Sequence, residues 1–524
     1  METEKRIDVF SSFSFKSWIS LLLLIAPIFV ASVSARGEEN DWFTYLGNKT
    51  KPKAPRRHMS AAEALAPLPL PATPLRRTER KKPPQPDYLV GKVIWGESAS
   101  FVDTSGDKME IADWNLCPTD MERFVDNGRS MDLKYHWKNV NLNDFHFDPK
   151  KLPTLVFSGV RTLRLSQTHI QALREYVLNG GMIICDSIAG SPYFYDSAKK
   201  VLLSAFPECR CRVIPSDHPL YHMLVDVNKV NYPKKPGTTK PFLECIYIGS
   251  RVGVLISKYG LGCGWNHDTA RLGKLPKAVY YDVKSANQIG LNLAAYVVGY
   301  AEVGLLEGQQ EVFGAADEKR PTDEFVFAQL KHDGAWNVHP GGATALLMKL
   351  RRYTAVRVNL KRVAVDPQQD DLSSYPFLYL TGLDDFSFSA EAVKALRRYL
   401  HYGGVLLINN GMGLSTFDGA VRRELAKILP DVKLEPIAAN HHLYNSLLPI
   451  KDVKYSPVVI KNKPELKNQP YLLGAAIDGD LRILYSPYDI EAGWLDTYYP
   501  LIRGYEPIYA QKLGLNIITY VMTH

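Results

Sequence analysis

The chain has 524 residues, 46% of them hydrophobic and 23% charged, with a net charge of +8. That length is too great for one core and fits two domains of about 200 residues plus additional segments. Nine Lys/Arg between positions 51 and 86, set against Glu63 and Glu79, supply +7 of the charge. The remainder is nearly balanced, which argues against a nucleic-acid partner.

In chain order, Lys5, Arg6 and Lys16 precede an apolar run from Leu21 to Val30, and Val33-Ser-Ala35 offers small residues for cleavage. This has the form of a secretory signal peptide over 1–35, cleaved near Ala35, and predicts a periplasmic or extracellular protein. The rival reading is an uncleaved anchor, although the run is shorter than the ~20 residues a span requires and contains Pro27. No cysteine follows it, which excludes a lipoprotein anchor. Residues 36–87 are basic and proline-rich (Ala66-Pro-Leu-Pro-Leu-Pro-Ala-Thr-Pro74) and predict an extended, solvated linker. Such a segment can touch an anionic membrane surface or polymer, or serve only as a spacer.

The stretch from Pro153 to Tyr221 matches Pro376 to Tyr444 at a constant offset of 223 residues without a gap. Further blocks match in the same order. Asp113-Trp-Asn-Leu-Cys-Pro118 pairs with Ala335-Trp-Asn-Val-His-Pro340, Gly264-Trp265 with Gly493-Trp494, and Gly290-Leu-Asn292 with Gly514-Leu-Asn516. The chain is therefore an internal duplication: repeat 1 over 88–306, a polar linker over 307–323, and repeat 2 over 324–524. Within repeat 2, strands are predicted at Phe325–Leu330, near Val356–Val365, at Phe377–Leu380 and at Val405–Ile408. Helices are predicted at Gly341–Tyr353 and after Ser389, where Val393, Leu396 and Leu400 share one face. Ser166 and Ser389 suit N-caps, and the paired glycines that follow each helix suit its C-terminal left-handed residue. Short apolar strands between amphipathic helices predict a parallel sheet covered on both faces.

All six cysteines lie between Cys117 and Cys263. In an exported protein disulfides are allowed, but six cysteines permit fifteen connectivities and some can be buried thiols.

In a doubly wound sheet, ligands bind beyond the carboxyl ends of the strands. Those ends carry Asp384, Asp385, Asn409 and Asn410 in repeat 2, and Asp186 and Ser187 in repeat 1. A nucleophile elbow would place Asn410 or Ser187 at the strand-to-helix turn. Asparagine is not a nucleophile, and no histidine can be matched to Ser187, so a capped turn is the plainer reading. His218 and His441 occupy equivalent loop positions, as pocket residues or as caps. Cys209, Cys211, His218 and His222 are acceptable zinc-ligand types, but their spacing fits no standard site. Tyr485, Tyr488, Asp489 and Trp494 form a dense aromatic–acidic block, expected at an exposed rim to hold a sugar or peptide, or to pack the two repeats together. The residues imply no cofactor.

Repeat 2 resembles the bacterial domain-of-unknown-function 4159 family, through Tyr375-Pro-Phe-Leu-Tyr-Leu-Thr-Gly382, Leu400 to Gly404, Phe417 with Arg422-Arg-Glu424, His441, Tyr485-Ser-Pro-Tyr-Asp489, Gly493-Trp494 and Gly514-Leu-Asn516. Repeat 1 is similar but diverged. The resemblance implies two tandem flavodoxin-like, class I glutamine amidotransferase-like three-layer α/β domains and no established activity. The amidotransferase cysteine would fall near Asn409 or Asn410, where neither repeat has one, and Cys185 reads as the buried end of a strand. The expected function is that of a non-catalytic binding or scaffold protein of the cell envelope, with a protein or glycan partner. The alternative is a hydrolase acting on an envelope polymer or amide through His441 and Asp385.

Overall fold

The computed structural model describes residues 88–102, 106, 108–129, 135–144, 148–233, 240–267, 277–308, 311–316, 318, 321 and 323–524. The signal-peptide and basic-linker expectations lie outside these residues.

Repeat 1 runs β1 (Val90–Ile94), β2 (Ser98–Val102), β3 (Lys108–Ala112), α1 (Asp120–Arg129), β4 (Trp137–Asn141), β5 (Thr154–Gly159), α2 (Gln167–Leu178), β6 (Met182–Ser187), α3 (Pro192–Ala205), β7 (Cys211–Val213), β8 (Leu243–Ile248), β9 (Arg251–Ser257), α4 (Gly262–Trp265), α5 (Val283–Gly299) and α6 (Ala301–Glu307). Repeat 2 runs β10 (Glu324–Phe325), β11 (Ala328–Leu330), α7 (Gly342–Tyr353), β12 (Arg357–Val358), β13 (Val363–Val365), β14 (Phe377–Gly382), α8 (Ala390–His401), β15 (Val405–Asn410), α9 (Ser415–Ile428), β16 (Glu435–Pro436), α10 (Pro457–Asn462), β17 (Leu473–Ile477), β18 (Asp480–Ser486), α11 (Glu491–Trp494) and α12 (Pro507–Thr523).

The two seven-stranded sheets have the same order, β4-β1-β5-β6-β9-β8-β7 and β13-β11-β14-β15-β18-β17-β16. The first five strands of each pair in parallel and the last two pairings are antiparallel, so only β8 and β17 run against the rest. The expected parallel sheet is present as the five-stranded part of each, and a hairpin extends it. Only Asp478 and Gly479 separate β17 from β18, both with positive φ (55° and 93°), a two-residue connection that permits a hairpin and no crossover. The predicted strand at 325–330 is also divided, into β10 and β11, and the first of these pairs with β12 outside the main sheet.

Helices cover both faces. In repeat 2, α8 and α9 bury Leu396, Leu400, Phe417 and Val421 on one side, and α7 and α12 bury Leu346, Leu350, Leu513 and Ile517 on the other. Each such side chain contributes roughly 1.5–3 kcal/mol of burial. Ser166 and Ser389 accept the His169 and Ala392 backbone N–H groups as N-caps, and Gly180 and Gly403 adopt φ of 101° and 97°.

One apolar cluster runs through both repeats. Leu220, Tyr247, Tyr296 and Tyr300 of repeat 1 belong to the same buried core as Val338, Leu383, Met412 and Tyr499 of repeat 2. These last residues follow the carboxyl ends of the repeat-2 strands, so repeat 1 covers the end of that sheet where ligands would otherwise enter. In repeat 1 the corresponding end is closed by its own chain, with Ile111 of β3 packed on Val160, Ile188, Ala189 and Tyr280.

Candidate functional site

The strand-to-helix turns place no reactive side chain above either sheet. The left-handed residue is Ala189 after β6 and Met412 after β15, each with φ 56°, and both side chains are buried and apolar. Ser187 and Asn410, expected at that elbow, sit two residues earlier in extended backbone with their side chains turned inward. Asn410 Nδ2 donates to the Leu414 and Pro487 carbonyls at 3.1 and 3.2 Å. Asn409 donates to Asp489 Oδ1 at 3.0 Å and accepts from the Ile490 N–H at 3.0 Å.

Asp489 opens a fully buried charge cluster. His339 Nε2 lies 2.8 Å from Asp489 Oδ2, and its Nδ1 lies 2.9 Å from Glu307 Oε1, with all three side chains without exposure. Burial alone would push the imidazole pKa down, but the charge and hydrogen bond of Asp489, followed by those of Glu307, hold it up at about 10. Burial works equally against Asp489, whose pKa is nonetheless lowered by His339. Glu307 ends α6 of repeat 1, where it also caps the Ser250 N–H at 2.7 Å, so this imidazolium joins the two repeats. Beside it, buried Arg362 pairs with Glu491 at 3.2 Å and with Glu311 through Nε at 2.9 Å. Glu491 is pushed by burial to about 7 in spite of Arg362. The segment 307–323, polar enough to predict a linker, thus supplies two of the carboxylates that neutralise the interior of repeat 2.

Repeat 1 builds a similar cluster from different positions. Lys92 Nζ donates to Asp120 Oδ1 at 2.7 Å, to the Cys117 carbonyl at 2.9 Å and to Asn115 at 3.2 Å. Asp186, aligned with Asn409, accepts the Leu261 and Gly262 N–H groups at 2.7 Å each, and burial still raises it to about 7. Sequence matching pairs Asp120 with Gly342 and Gly262 with Glu491. A Cβ on Gly262 would meet Asp186 Oδ2 at 2.9 Å and Asp120 Oδ2 at 3.3 Å, while one on Gly342 would meet Glu491 Cγ at 2.8 Å. Both repeats therefore fill one space with a carboxylate, entering from α1 in the first and from α11 in the second. The glycine sits wherever the acid does not.

A cleft of about 690 Å³ opens between the repeats. One wall is the Pro207–Arg210 segment and the β8–β9 turn of repeat 1, and the other is the Lys331–Asn337 segment of repeat 2. Arg210 Nη1 reaches Asp333 at 3.2 Å, and Arg212 Nε reaches Asp384 Oδ2 at 3.0 Å, so two ion pairs run from one repeat to the other beside the cleft. Half-buried Trp336 packs against Phe313 with ring centroids 5.3 Å apart, which presents an aromatic wall beside exposed Lys331. His332 is held in one tautomer, Nε2–H toward the Thr381 carbonyl at 2.8 Å and Nδ1 accepting the Gly334 N–H at 3.0 Å. Burial lowers its pKa to about 4.

The remaining expected site residues do not converge. Asp384 lines the cleft, but Asp385 is exposed and paired with Arg423 at 2.8 Å. His441 caps its own loop by accepting the Leu443 N–H, and its ring packs on Tyr520. His441, Asp385 and Asn410 share no partner. The exposed rim expected at Tyr485, Asp489 and Trp494 is corrected: all three are without exposure, Tyr485 in the core on one face of interior strand β18, Trp494 of α11 in the core on the other, and Asp489 in the buried charge cluster. Tyr485 donates to Asp418 at 2.6 Å and Trp494 to the Ala510 carbonyl at 3.1 Å, while half-buried Tyr488 packs on Tyr455. Cys209 directs its thiol to the Tyr247 carbonyl at 3.6 Å, Cys211 lies in edge strand β7, His218 caps Leu220, and His222 bonds Asp226 and the Ser216 carbonyl at 2.8 Å each. No group of three or more metal-ligand side chains occurs among the described residues.

Sequence reasoning missed His339, Arg362, Lys92, Asp120 and Trp336. The matched block at 335–340 contains two of them, and its histidine opposite a cysteine was the available signal. Comparison with family models matches the domain of unknown function (DUF4159) twice in tandem, over residues 102–298 and 326–522. Among curated proteins none matches the chain.

Proposed function

The chain belongs to the DUF4159 family, in two tandem copies, and from that premise we propose that it is an exported, non-catalytic binding protein of the cell envelope whose ligand site is the cleft between the repeats. The observation that carries this reading is the identity of the two left-handed turn residues. Ala189 and Met412 occupy the position that would expose a nucleophile, and both are buried apolar side chains. The cleft offers what a glycan-binding site needs. It has two aromatic faces, Trp336 and Phe313, tilted by 51° to each other, and polar groups at Arg210, Asp333 and Asp384 for hydroxyl and amide hydrogen bonds. His332, neutral and tied at both ring nitrogens, serves there as a spacer and not as an acid or base.

The test is binding of the full chain to soluble fragments of envelope glycan, followed by tryptophan fluorescence and by retention on the immobilised polymer. The expected result is saturable binding that falls at least tenfold in Trp336→Ala, with no release of new reducing ends or amines. Binding equal in wild type and Trp336→Ala would remove the cleft from the reading. Turnover of the glycan that is lost in His441→Ala or Asp385→Ala would establish the hydrolase instead.

A further inference from the structure

The Cys117 and Cys263 thiols lie in contact within the small apolar cluster that closes the strand ends of repeat 1, among Ile111, Leu116, Ile188 and Ala189. Cys263 is without exposure and Cys117 is 6% exposed. The Ala189 N–H donates to Cys263 Sγ at 3.1 Å, which fixes that side chain, and the Cys117 carbonyl is fixed by Lys92 Nζ at 2.9 Å. Both are free thiols as they stand. The matching positions in repeat 2 are His339 and Ala492, so no such pair exists there. Repeat 2 is instead held at that place by the His339 ion pairs to Glu307 and Asp489.

We propose that Cys117 and Cys263 are a disulfide-forming pair, which links the turn ahead of α1 to α4 and seals the strand ends of repeat 1. The oxidant is a disulfide donor, either a dithiol–disulfide oxidoreductase or a small-molecule disulfide. One cysteine thiolate attacks the donor disulfide, forming a mixed disulfide and releasing one donor thiolate. The second cysteine thiolate then displaces the remaining donor sulfur. The pair loses two electrons and two protons, and the donor gains both. Once the repeat is packed, burial raises the Cys263 thiol well above its ordinary range and shields it, so exchange belongs to the folding chain and the finished bond resists reductant. The covalent tie does for repeat 1 what the buried imidazolium does for repeat 2. It constrains a long loop of the unfolded chain.

The inference rests on the exported reading only for the oxidising compartment, and two arms separate them. Full-length protein is refolded in a glutathione redox buffer, alkylated without reduction, and mapped by peptide mass spectrometry. The expected result is a Cys117–Cys263 linked peptide two hydrogens lighter than the free pair, with Cys185 and Cys245 alkylated. Alkylation of both Cys117 and Cys263, or linkage of either to another cysteine, overturns the proposal. The second arm maps protein recovered from cells that express the full chain. Linkage there supports both readings, whereas free thiols in cells together with linkage in the redox buffer support the pair and count against export. A reductant should lower the urea midpoint of wild type and leave that of Cys117→Ala unchanged; an equal shift in both would also overturn it.

Discussion

At the scale of single residues, the protein depends on a few charges that are fully removed from water. His339 stands between Glu307 and Asp489 as a buried imidazolium, and a cation so enclosed is stable only because both carboxylates satisfy it. Removing it leaves two buried carboxylates without a countercharge, held only by neutral donors such as the Ser250 N–H and the Asn409 amide. His339→Ala is therefore expected to cost about 3–5 kcal/mol, measured by urea unfolding at pH 7. The same group sets a pH dependence. Its folded pKa of about 10 exceeds the ordinary histidine value, so its contribution is complete below pH 6.5 and is lost as pH rises toward 10. Between pH 7.5 and 9, His339 should lower wild-type stability by about 1.4 kcal/mol per unit, beside the loss from the buried thiols whose pKa values burial also raises, and His339→Gln should make the slope shallower by that amount. An unchanged slope in the variant would refute the buried imidazolium. Below pH 7 no single slope is expected. Asp186 and Glu491, raised to about 7, favour the folded state as pH falls, while His332, lowered to about 4, and His218, lowered to about 3, oppose it.

At the scale of elements, the two repeats keep the same devices at equivalent helix ends. Each paired glycine divides its work. Gly180 and Gly403 supply the positive φ, while Gly181 and Gly404 leave room for a tyrosine ring that folds back from the preceding helix. Tyr176 OH then donates to the Leu152 carbonyl at 2.7 Å, and Tyr399 OH donates to the Val405 carbonyl at 3.1 Å. A Cβ on Gly404 would stand 2.2 Å from the Tyr399 ring, so Gly404→Ala should destabilise by about 1–3 kcal/mol. If the ring is the obstacle, Tyr399→Leu in the Gly404→Ala background should recover part of that loss, and a purely additive double variant would refute the contact. The Gly-Gly signal was readable in the sequence as a helix stop, but the ring above the second glycine was not, since it requires knowing where the chain turns back. The Asp478-Gly479 hairpin was also readable: those two residues between apolar runs carry the turn signal that makes the sheet mixed.

At the scale of the whole molecule, the two repeats share one apolar core and exchange charged partners, so they are not independent beads. Calorimetry should show a single unfolding transition. Two resolved transitions, each assignable to one repeat, would contradict the shared core of Tyr296, Tyr300, Leu383 and Met412. The isolated segment 324–524 lacks Glu307 and Glu311 and uncovers Val338, Leu383 and Met412, so it should bind a hydrophobic dye that the full chain does not.

The sequence by itself determined the duplication, the α/β class and the caps, because each of these is written in local periodicity, in turn chemistry or in a repeated order of blocks. It also determined that no cysteine stands where an amidotransferase would need one. Tertiary structure alone decided which end of each sheet is closed, and by what. It brought Glu307 and Glu311 from a segment that reads as solvated linker into the interior, and it placed Trp336 beside Phe313 on the wall of a cleft. The reason is physical. A buried charge is recognisable only by its partner, and here the partners lie in the other repeat or on the far side of the sheet, at separations that no local pattern records.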